Sequence, residues 1–314
     1  MFQNSNFTNL DLFNGKVNCR HKVKLKILQI NLGKRHAAVS LLQKSVQELG
    51  VDLVCFQEPT ILRGKVVGIP HRWGLFSSKS LKAGIICLNT KLKASLLSTT
   101  QDAVSVILGE GDNSIKLTSA YGTTANNIEV IQQEIEHAVQ LEQDKEHIIC
   151  GDFNAPNTLW GYKKDAIRGK EMLEFINAKN LFILNDTTQL PTFEFNDKQG
   201  CPDLTLTNST DVLGAAKWEV LDVETLSDHR YILIDTNKEI TFTQVPRFKT
   251  KYGSHGKFVK NCKGIVYGGI KKIERAINER DLDQILDNTM LEMTRECKRI
   301  YGIKKWKKPE DPKW

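Results

Sequence analysis

Residues 147–154, HIICGDFN, combine an apolar run with a polar end. A short apolar run leads into a tip of glycine, aspartate and asparagine, which is typical of a buried strand that ends at the surface. Function collects at such ends because a rigid sheet positions the segments that leave it. We therefore take Asp152 and Asn154 as candidate functional residues.

Three further apolar strands end in polar tips. The polar tips are QIN (29–31), QEP (57–59) and SDH (227–229). A further acid, Asp203, is the first residue of the predicted strand DLTLTN. One acid at a strand end is ordinary. Several carboxylates and amides at strand ends, together with one histidine, predict a site.

The order of elements predicts an α/β fold. Residues 36–49, 128–141 and 165–180 have apolar residues at helical spacing, and short predicted strands fill the regions between them. Two runs of strands interspersed with helices favour a layered sandwich with sheets inside and helices outside.

Charge is distributed unevenly along the chain. The net charge is +7, but residues 238–314 contain 19 Lys/Arg and 10 Asp/Glu, a balance of +9, which leaves −2 for residues 1–237. We expect an N-terminal extension (1–23), a main domain (24–237) and a basic linker with a helical tail (238–314). Residues 241–261 are interpreted as linker. The tail's charge is typical of a polyanion contact, or equally of a solvated linker.

The seven cysteines are scattered, with no CxxC pair. Cys55, Cys87 and Cys150 lie in apolar runs and are expected to be buried free thiols rather than disulfide or zinc residues. The polar N-terminus predicts no signal peptide, and no apolar stretch is long enough for a membrane span. We expect an intracellular protein, nuclear or cytoplasmic, with no membrane partner.

Eight segments together resemble the apurinic-like endonucleases of non-LTR retrotransposons, most closely the insect type, within the exonuclease–endonuclease–phosphatase superfamily. They are QINL (29–32), QEP (57–59), AYG (120–122), GDFN (151–154), DAIRG (165–169), PTF (191–193), PDLTLTN (202–208) and LSDHRYI (226–232). The resemblance spans roughly residues 24–236. It implies a four-layered α/β sandwich of two packed, mostly antiparallel sheets flanked by helices.

The resemblance also implies a Mg²⁺ site, with Mn²⁺ as a substitute. Hard oxygen ligands hold such ions. Glu58 is the expected ligand, Asn31 a direct or water-mediated partner, and Asp228 a second ligand.

The family's catalytic roles carry over position by position. Asp152 orients and deprotonates the attacking water, and Asn154 donates to a phosphate oxygen. His229 contacts the scissile phosphate while Asp203 fixes its tautomer, and Tyr121 offers its hydroxyl to the phosphate.

Taken singly, these residues have ordinary interpretations. Asn31 and Tyr121 alone would be strand-end hydrogen-bonding residues, Asp203 a turn residue after Pro202, and Asp228 a solvated acid. The other histidines are expected at the surface: His21, His36, His71, His137, His147 and His255.

Three departures from the family's pattern do not remove a catalytic group. Gly33 stands where DNA-repair relatives often have an acid, which weakens the case for a second metal site. APNTLWG (155–161) lacks a histidine common in retrotransposon enzymes, and Pro202 replaces a usual apolar residue.

A polar segment between PTFEF and DLTLTN is the expected DNA-reading element. In the resembling family a hairpin here enters the DNA groove, and Asn196, Lys198 and Gln199 could donate to bases or phosphates. An ordinary hairpin loop fits the same residues.

The expected function is a Mg²⁺-dependent endonuclease that nicks double-stranded DNA and leaves a 3′ hydroxyl for retrotransposon insertion. The reverse transcriptase that normally follows in the same polypeptide has no counterpart in this sequence. Two alternatives stay open: a phosphodiesterase or phosphatase of the same fold acting on another substrate, and a catalytically decayed nucleic-acid-binding protein.

Overall fold

The computed structural model of the chain describes residues 19–89, 92–244 and 248–304. Most of the predicted N-terminal extension and the last ten residues of the basic tail lie outside this part. The chain divides into two compact units, His21–Phe242 and a second that contains the residues from Thr243 onward. The first unit thus ends five residues beyond the predicted boundary at 237.

Sixteen strands and six α-helices make up the described chain. The strands are β1 (Cys19–Asn31), β2 (Leu53–Gln57), β3 (Ile61–Leu62), β4 (Lys65–Val66), β5 (Gly74–Ser77), β6 (Ala83–Cys87), β7 (Ser95–Thr99), β8 (Ala103–Leu108), β9 (Ile115–Tyr121), β10 (Glu146–Asp152), β11 (Phe182–Ile183), β12 (Phe193–Phe195), β13 (Lys198–Gly200), β14 (Asp203–Thr207), β15 (Lys217–Val220) and β16 (Ile232–Gln244). The helices are α1 (His36–Leu49), α2 (Ile128–Gln140), α3 (Ile167–Ala178), α4 (Thr210–Ala215), α5 (His255–Ile273) and α6 (Glu279–Tyr301). Short 3₁₀ turns cover Gly111–Asn113, Thr158–Trp160 and Thr250–Tyr252.

Two six-stranded sheets form the centre of the first unit. The first has the order β15-β16-β1-β2-β6-β5 and the second the order β11-β14-β10-β9-β8-β7. The pairs β1–β2 and β9–β10 are parallel, and the neighbouring pairs β2–β6, β10–β14 and β8–β9 are antiparallel. The expected mostly antiparallel pairing is confirmed.

Apolar residues on the inner faces of both sheets form one buried cluster. Ile27 and Cys55 from the first sheet pack with Val106 and Ile148 from the second, all fully buried. Alternate residues on the same strands point the other way, as the two-residue repeat of a strand requires. The sheets therefore pack face to face through their inner sides.

Helices cover the two outer faces. The stripe of α1 that contains Val39 and Leu42 packs on the outer face of the first sheet. Ile131 of α2 and Met172 of α3 pack on the second sheet. The four-layered sandwich is confirmed, since a sheet that is apolar on both faces needs a covering layer on each.

The second unit contains an antiparallel helical hairpin. Asn261 of α5 donates to Glu296 of α6 at 2.6 Å, and His255 lies 3.0 Å from the hydroxyl of Tyr301. Residues 255–261 are therefore helical, and their interpretation as linker is wrong. Lysines and glycines occupy many positions between the apolar residues of α5, and this obscured its helical spacing.

Two further expectations concern single residue types. The cysteines that the structure describes with their side chains, including Cys55, Cys87 and Cys150, are free, as expected. In the described ranges, no helix combines the length and the apolar character that crossing a membrane requires.

Candidate active site

Strand pairing in the second sheet places three predicted residues in one row. Asp152 at the end of β10 pairs with Asp203 at the start of β14 and with Tyr121 at the end of β9. These three strands are neighbours, so the three side chains meet at one edge of the sheet. Because β14 runs antiparallel to β10, its first residue, Asp203, is the one that lies next to the last residue of β10.

The first sheet supplies a second row at the same place. Because β1 and β2 are parallel, Asn31 is in register with Gln57 and lies beside Glu58. The Asn31 amide donates to Asp152 at 2.7 Å and to Glu58 at 3.4 Å. A buried asparagine therefore joins the residues of the two sheets into one site.

Two of the tips have left-handed backbone. Glu58 has φ +44° and Asn154 has φ +49°. Residues other than glycine adopt this region uncommonly, and non-glycine residues held there cluster at functional sites. The Asn154 N–H donates to Asp152 at 3.1 Å and its side chain to the Gly122 carbonyl at 3.4 Å, which together fix this turn.

His229 is held by Asp203 as the resemblance implied. Its Nδ1 lies 2.9 Å from Asp203 Oδ2, and the hydroxyl of Thr192 donates to the same oxygen at 2.6 Å. The Phe193 ring packs edge-on against the imidazole, with centroids 5.0 Å apart. The other imidazole nitrogen, Nε2, lies 4.0 Å from Asp152 Oδ2. These contacts leave Nε2 as the nitrogen that faces Asp152.

The electrostatics of this pair suit acid–base chemistry. Burial and the charge of Asp203 raise the pKa of the Asp152 carboxyl to about 7, against the opposing effects of His229 and Asn31. Burial disfavours charge on His229, but the carboxylates of Asp203, Asp152 and Glu58 outweigh it and raise the pKa of the imidazole to about 9. A base that titrates near neutrality therefore lies beside a protonated imidazole.

Glu58 is the acid at the open side of the site. Its side chain is 17% exposed, and its Oε1 lies 2.9 Å from the Lys34 ammonium. Burial alone would raise the pKa of Glu58, yet hydrogen bonds from Lys34, Tyr121 and Asn31, with the charge of Lys34, hold it below its ordinary value. Burial and the charge of Glu58 raise the pKa of Tyr121, so its hydroxyl stays protonated.

These donors fit a hard divalent cation. Glu58 offers an ionised carboxylate with a cation already beside it. The amide nitrogen of Asn31 faces Glu58 and Asp152, and its oxygen accepts from Gly33 N–H at 2.8 Å, so Asn31 would offer its oxygen to a cation beside Glu58 after rotation of the amide. Oxygen ligands of this kind are the ones Mg²⁺ prefers.

A second group of donors is less suited to a metal. Ligand atoms of Asp152, Asp203 and His229 lie within 4.8 Å of one another. The imidazole of His229 is already paired with Asp203 Oδ2 at 2.9 Å through Nδ1, and its Nε2 faces Asp152 Oδ2 at 4.0 Å. We therefore favour the Glu58 side of the site for the metal.

Asp228 differs from Glu58 in its partner, which is an arginine. Its carboxylate accepts two hydrogen bonds from the Arg35 guanidinium, at 2.7 and 2.8 Å. A single arginine nitrogen thus contacts both oxygens of this carboxylate, and these contacts do not support its predicted role as a second metal ligand.

The predicted DNA-reading segment is the hairpin β12–β13. Asn196 and Asp197 form its turn, whereas Lys198 and Gln199 belong to β13, not to a loop. All four are exposed. A bridge pairs Phe193 with His229, so the base of the hairpin adjoins the site.

Sequence reasoning included Gln29 in the tip QIN but gave it no role, and the structure shows that it joins the two sheets. Fully buried Gln29 donates to the carbonyls of Gly151 and Leu204 across the sheets and accepts from Thr205 at 2.9 Å. The only available signal was a glutamine inside an apolar strand.

The expectation of a surface His147 is wrong. The residue is fully buried and lies 2.7 Å from the Thr118 hydroxyl. Burial lowers the pKa of this imidazole well below its ordinary value, so it is neutral. It is the second residue of β10 and alternates with inner-facing Ile148, so it lies on the outer face of the second sheet, where it is shut off from water.

Comparison with known proteins confirms the resemblance. The model of a family described as endonuclease-reverse transcriptase matches residues 115–233. The endonuclease domain of TRAS1, a telomere-specific non-LTR retrotransposon, is 26% identical with a TM-score of 0.60, and the match covers 69% of this chain and 97% of that one. No curated protein is similar enough in sequence to count as a match.

Two apurinic endonuclease structures share the fold. The enzyme LMAP from Leishmania major is 13% identical with a TM-score of 0.50, covering 70% of this chain and 88% of that one. An enzyme from Archaeoglobus fulgidus is 16% identical with the same TM-score, covering 67% and 98%. At these identities the likeness concerns the fold alone.

Proposed function

We propose that this protein is a divalent-metal-dependent endonuclease that nicks double-stranded DNA and leaves a 3′ hydroxyl. The observation that supports the proposal most is the meeting of Asn31, Asp152 and His229, from both sheets, at one edge of the sandwich. The structural likeness to the TRAS1 endonuclease domain favours a nuclease over the other enzymes that share this fold.

In this proposal each residue has the role that the resemblance implies, and its geometry supports that role. Asp152, with a pKa of about 7, accepts a proton from the attacking water at neutral pH. Cationic His229, oriented by Asp203, donates to a phosphate oxygen whose negative charge grows in the transition state. Asn154 and the protonated hydroxyl of Tyr121 donate to the same phosphate.

Glu58, with Asn31, would hold the metal ion. When bound, Mg²⁺ shields the charge of the phosphate and stabilises the leaving 3′ oxygen. Lys34 would have to leave the Glu58 carboxylate, which its 70% exposed side chain permits.

We further propose that the nick primes reverse transcription in retrotransposon insertion, which would place the protein's action in the nucleus. The family match, described as endonuclease-reverse transcriptase, supports this role.

A plasmid-nicking assay tests the activity. We expect relaxed circles with Mg²⁺ or Mn²⁺, none with excess EDTA, and no requirement for Zn²⁺ because the proposed ligands are carboxylate and amide. The nicked ends should be substrates for a DNA polymerase without prior treatment. Full activity in EDTA would refute metal dependence. DNA binding without cleavage would favour a decayed protein, and hydrolysis of a phosphomonoester alone would favour a phosphatase.

A further inference from the structure

The segment DAIRG (165–169) belongs to the resemblance but has no part in the chemistry described so far. Its arginine, Arg168, lies in the first turn of α3 and donates to four backbone carbonyls. Its guanidinium reaches the carbonyls of Phe153 (3.2 Å), Gly122 (3.0 Å), Thr123 (3.1 Å) and Asn126 (2.8 Å).

These carbonyls belong to two loops that leave adjacent catalytic strands. Gly122 follows Tyr121 at the end of β9, and Phe153 lies between Asp152 and Asn154 after β10. Beyond the strand ends, the loop carbonyls have left the regular ladder, and a buried carbonyl without a donor is costly. Arg168 supplies donors to both loops at once.

The two loops are also packed tightly against each other. The Gly122 N–H donates to the Asp152 carbonyl at 2.7 Å. A Cβ on Gly122 would lie 3.0 Å from the Phe153 backbone and 3.3 Å from Arg168. With so little free space, a shift of either loop must move the other.

The other residues of the segment fix the helix that carries Arg168. Asp165 accepts from the Thr158 N–H at 2.8 Å, and the Ala166 N–H donates to the Pro156 carbonyl at 2.9 Å. A Cβ on Gly169 would lie 1.8 Å from that same carbonyl oxygen, so only glycine allows this approach. The start of α3 is therefore fastened to the chain just beyond GDFN.

We propose that Arg168 is a positioning residue for the chemical step, holding the Tyr121 and Asn154 loops in one arrangement through their backbone carbonyls. A planar guanidinium with five N–H donors spans four carbonyls, whereas the three donors of a lysine ammonium share one point. The role rests on the proposed nuclease function, because the two side chains it aligns are those assigned to the phosphate.

Single-turnover nicking and DNA binding of the full chain separate positioning from binding. Arg168→Lys keeps the charge and the aliphatic stem but not the fork, and Arg168→Ala removes all three. We expect both to lower the cleavage rate on the order of 10²-fold, as an ångström-scale misplacement does. The dissociation constant for DNA, measured by anisotropy in EDTA, should stay within about threefold, since Arg168's donors are used within the protein. Added guanidinium at millimolar concentration should restore part of the rate of Arg168→Ala but not of Arg168→Lys.

Lys170→Ala, an exposed position on the same helix, is the matched control and should cut at the wild-type rate. Wild-type cleavage by Arg168→Lys would overturn the proposal, as would an equal loss of rate and binding. If Arg168→Ala fails to fold, Arg168→Lys decides; if that variant also unfolds, the residue is structural and the proposal is wrong. Failure of the wild-type protein to nick would instead refute the proposed function.

Discussion

Asp152 occupies an environment that suits a general base and is unfavourable for stability. It is 2% exposed, lies near a second carboxylate, and has its pKa raised to about 7 by burial and by Asp203. Its hydrogen bonds from Asn31 and Asn154 offset only part of this penalty. A buried carboxylate with a raised pKa lowers the stability of the folded protein and can act as a base. Its ionisation can therefore be tested both by cleavage rates and by free energies of unfolding.

Loss of the base or of the phosphate contact should abolish most of the activity. Asp152→Ala and His229→Ala should each lower the single-turnover nicking rate by at least ~10²-fold, because each removes a group that acts only in the transition state. The exposed positions Asp211 and His71 provide matched alanine controls. A wild-type rate in either site variant would refute the role assigned to that residue.

The same carboxylate should make the metal-free protein less stable as pH rises. The folded state keeps the Asp152 proton up to about pH 7, whereas an unfolded aspartate releases it near pH 4, so stability falls across that window. The slope reaches at most ~1.4 kcal/mol per pH unit. Asp152→Asn should flatten it, as seen in free energies of unfolding by urea in EDTA between pH 4.5 and 6.5.

The pH range of this measurement ends where the stability contributed by His229 begins to change. Because the pKa of His229 is raised to about 9, its contribution to stability is complete below pH 6.5 and is lost between pH 6.5 and 9. Asp211→Asn is the control for the aspartate measurement. Parallel stability curves for wild type and Asp152→Asn would show that the Asp152 carboxyl ionises normally.

At the level of elements, the strand ends were predictable and the strand pairing was not. Each tip is a local pattern, since an apolar run stops at a polar residue, and this located Asn31, Glu58 and Asp152. That Asp152 lies beside Asp203, 51 residues away in sequence, depends on the register of β10 with β14. Local patterns could not predict that these residues meet. Only the resemblance to a known family, which implies that register, predicted it.

The contacts that hold the elements in place were hardest to predict. Gln29 and Arg168 bind backbone carbonyls, and a carbonyl leaves no mark in the sequence because every residue has one. Likewise, Arg35 and Asp228 are 193 residues apart, and nothing local marks their pairing. Sequence patterns therefore predicted the candidate catalytic residues better than the residues that hold them in place.

The hairpin β12–β13 offers a test of DNA reading at this scale. Replacing exposed Asn196, Lys198 and Gln199 with Gly, Ser and Ser removes their donors but keeps buried Gly200, where a Cβ would lie 2.9 Å from Tyr162. If these side chains contact bases, the distribution of nicks along a long duplex should shift while metal dependence persists.

The control replaces Gly111–Asn113 with Gly-Ser-Gly. That turn precedes β9, which enters the site only at its far end, Tyr121. Its cleavage pattern should match that of the wild type. An active hairpin variant with an unaltered pattern would show that site selection resides elsewhere.

In the whole molecule, the excess of positive charge lies outside the region that contains the candidate site residues. The site residues lie in a region whose net charge is −2, while residues 238–314 have a balance of +9. Strand β16 extends to Gln244, so a cut after that residue keeps the sheet intact and still removes a net +9. Such a truncation separates the two properties without touching a proposed catalytic group.

We expect the protein truncated after Gln244 to nick DNA at low salt and to bind it more weakly. Each phosphate that the tail neutralises contributes about −0.9 to the slope of log K against log salt, so the loss of three contacts would make the slope shallower by about 2.7. In the full chain, Lys257, Lys260 and Lys263, all exposed on α5, can be changed together to Gln and should reproduce part of that change. The low-salt cleavage rate is the internal control, because neither change removes a proposed site residue. An unchanged slope in both proteins would mean that the tail's positive charge is solvated and that the sandwich itself makes the DNA contacts.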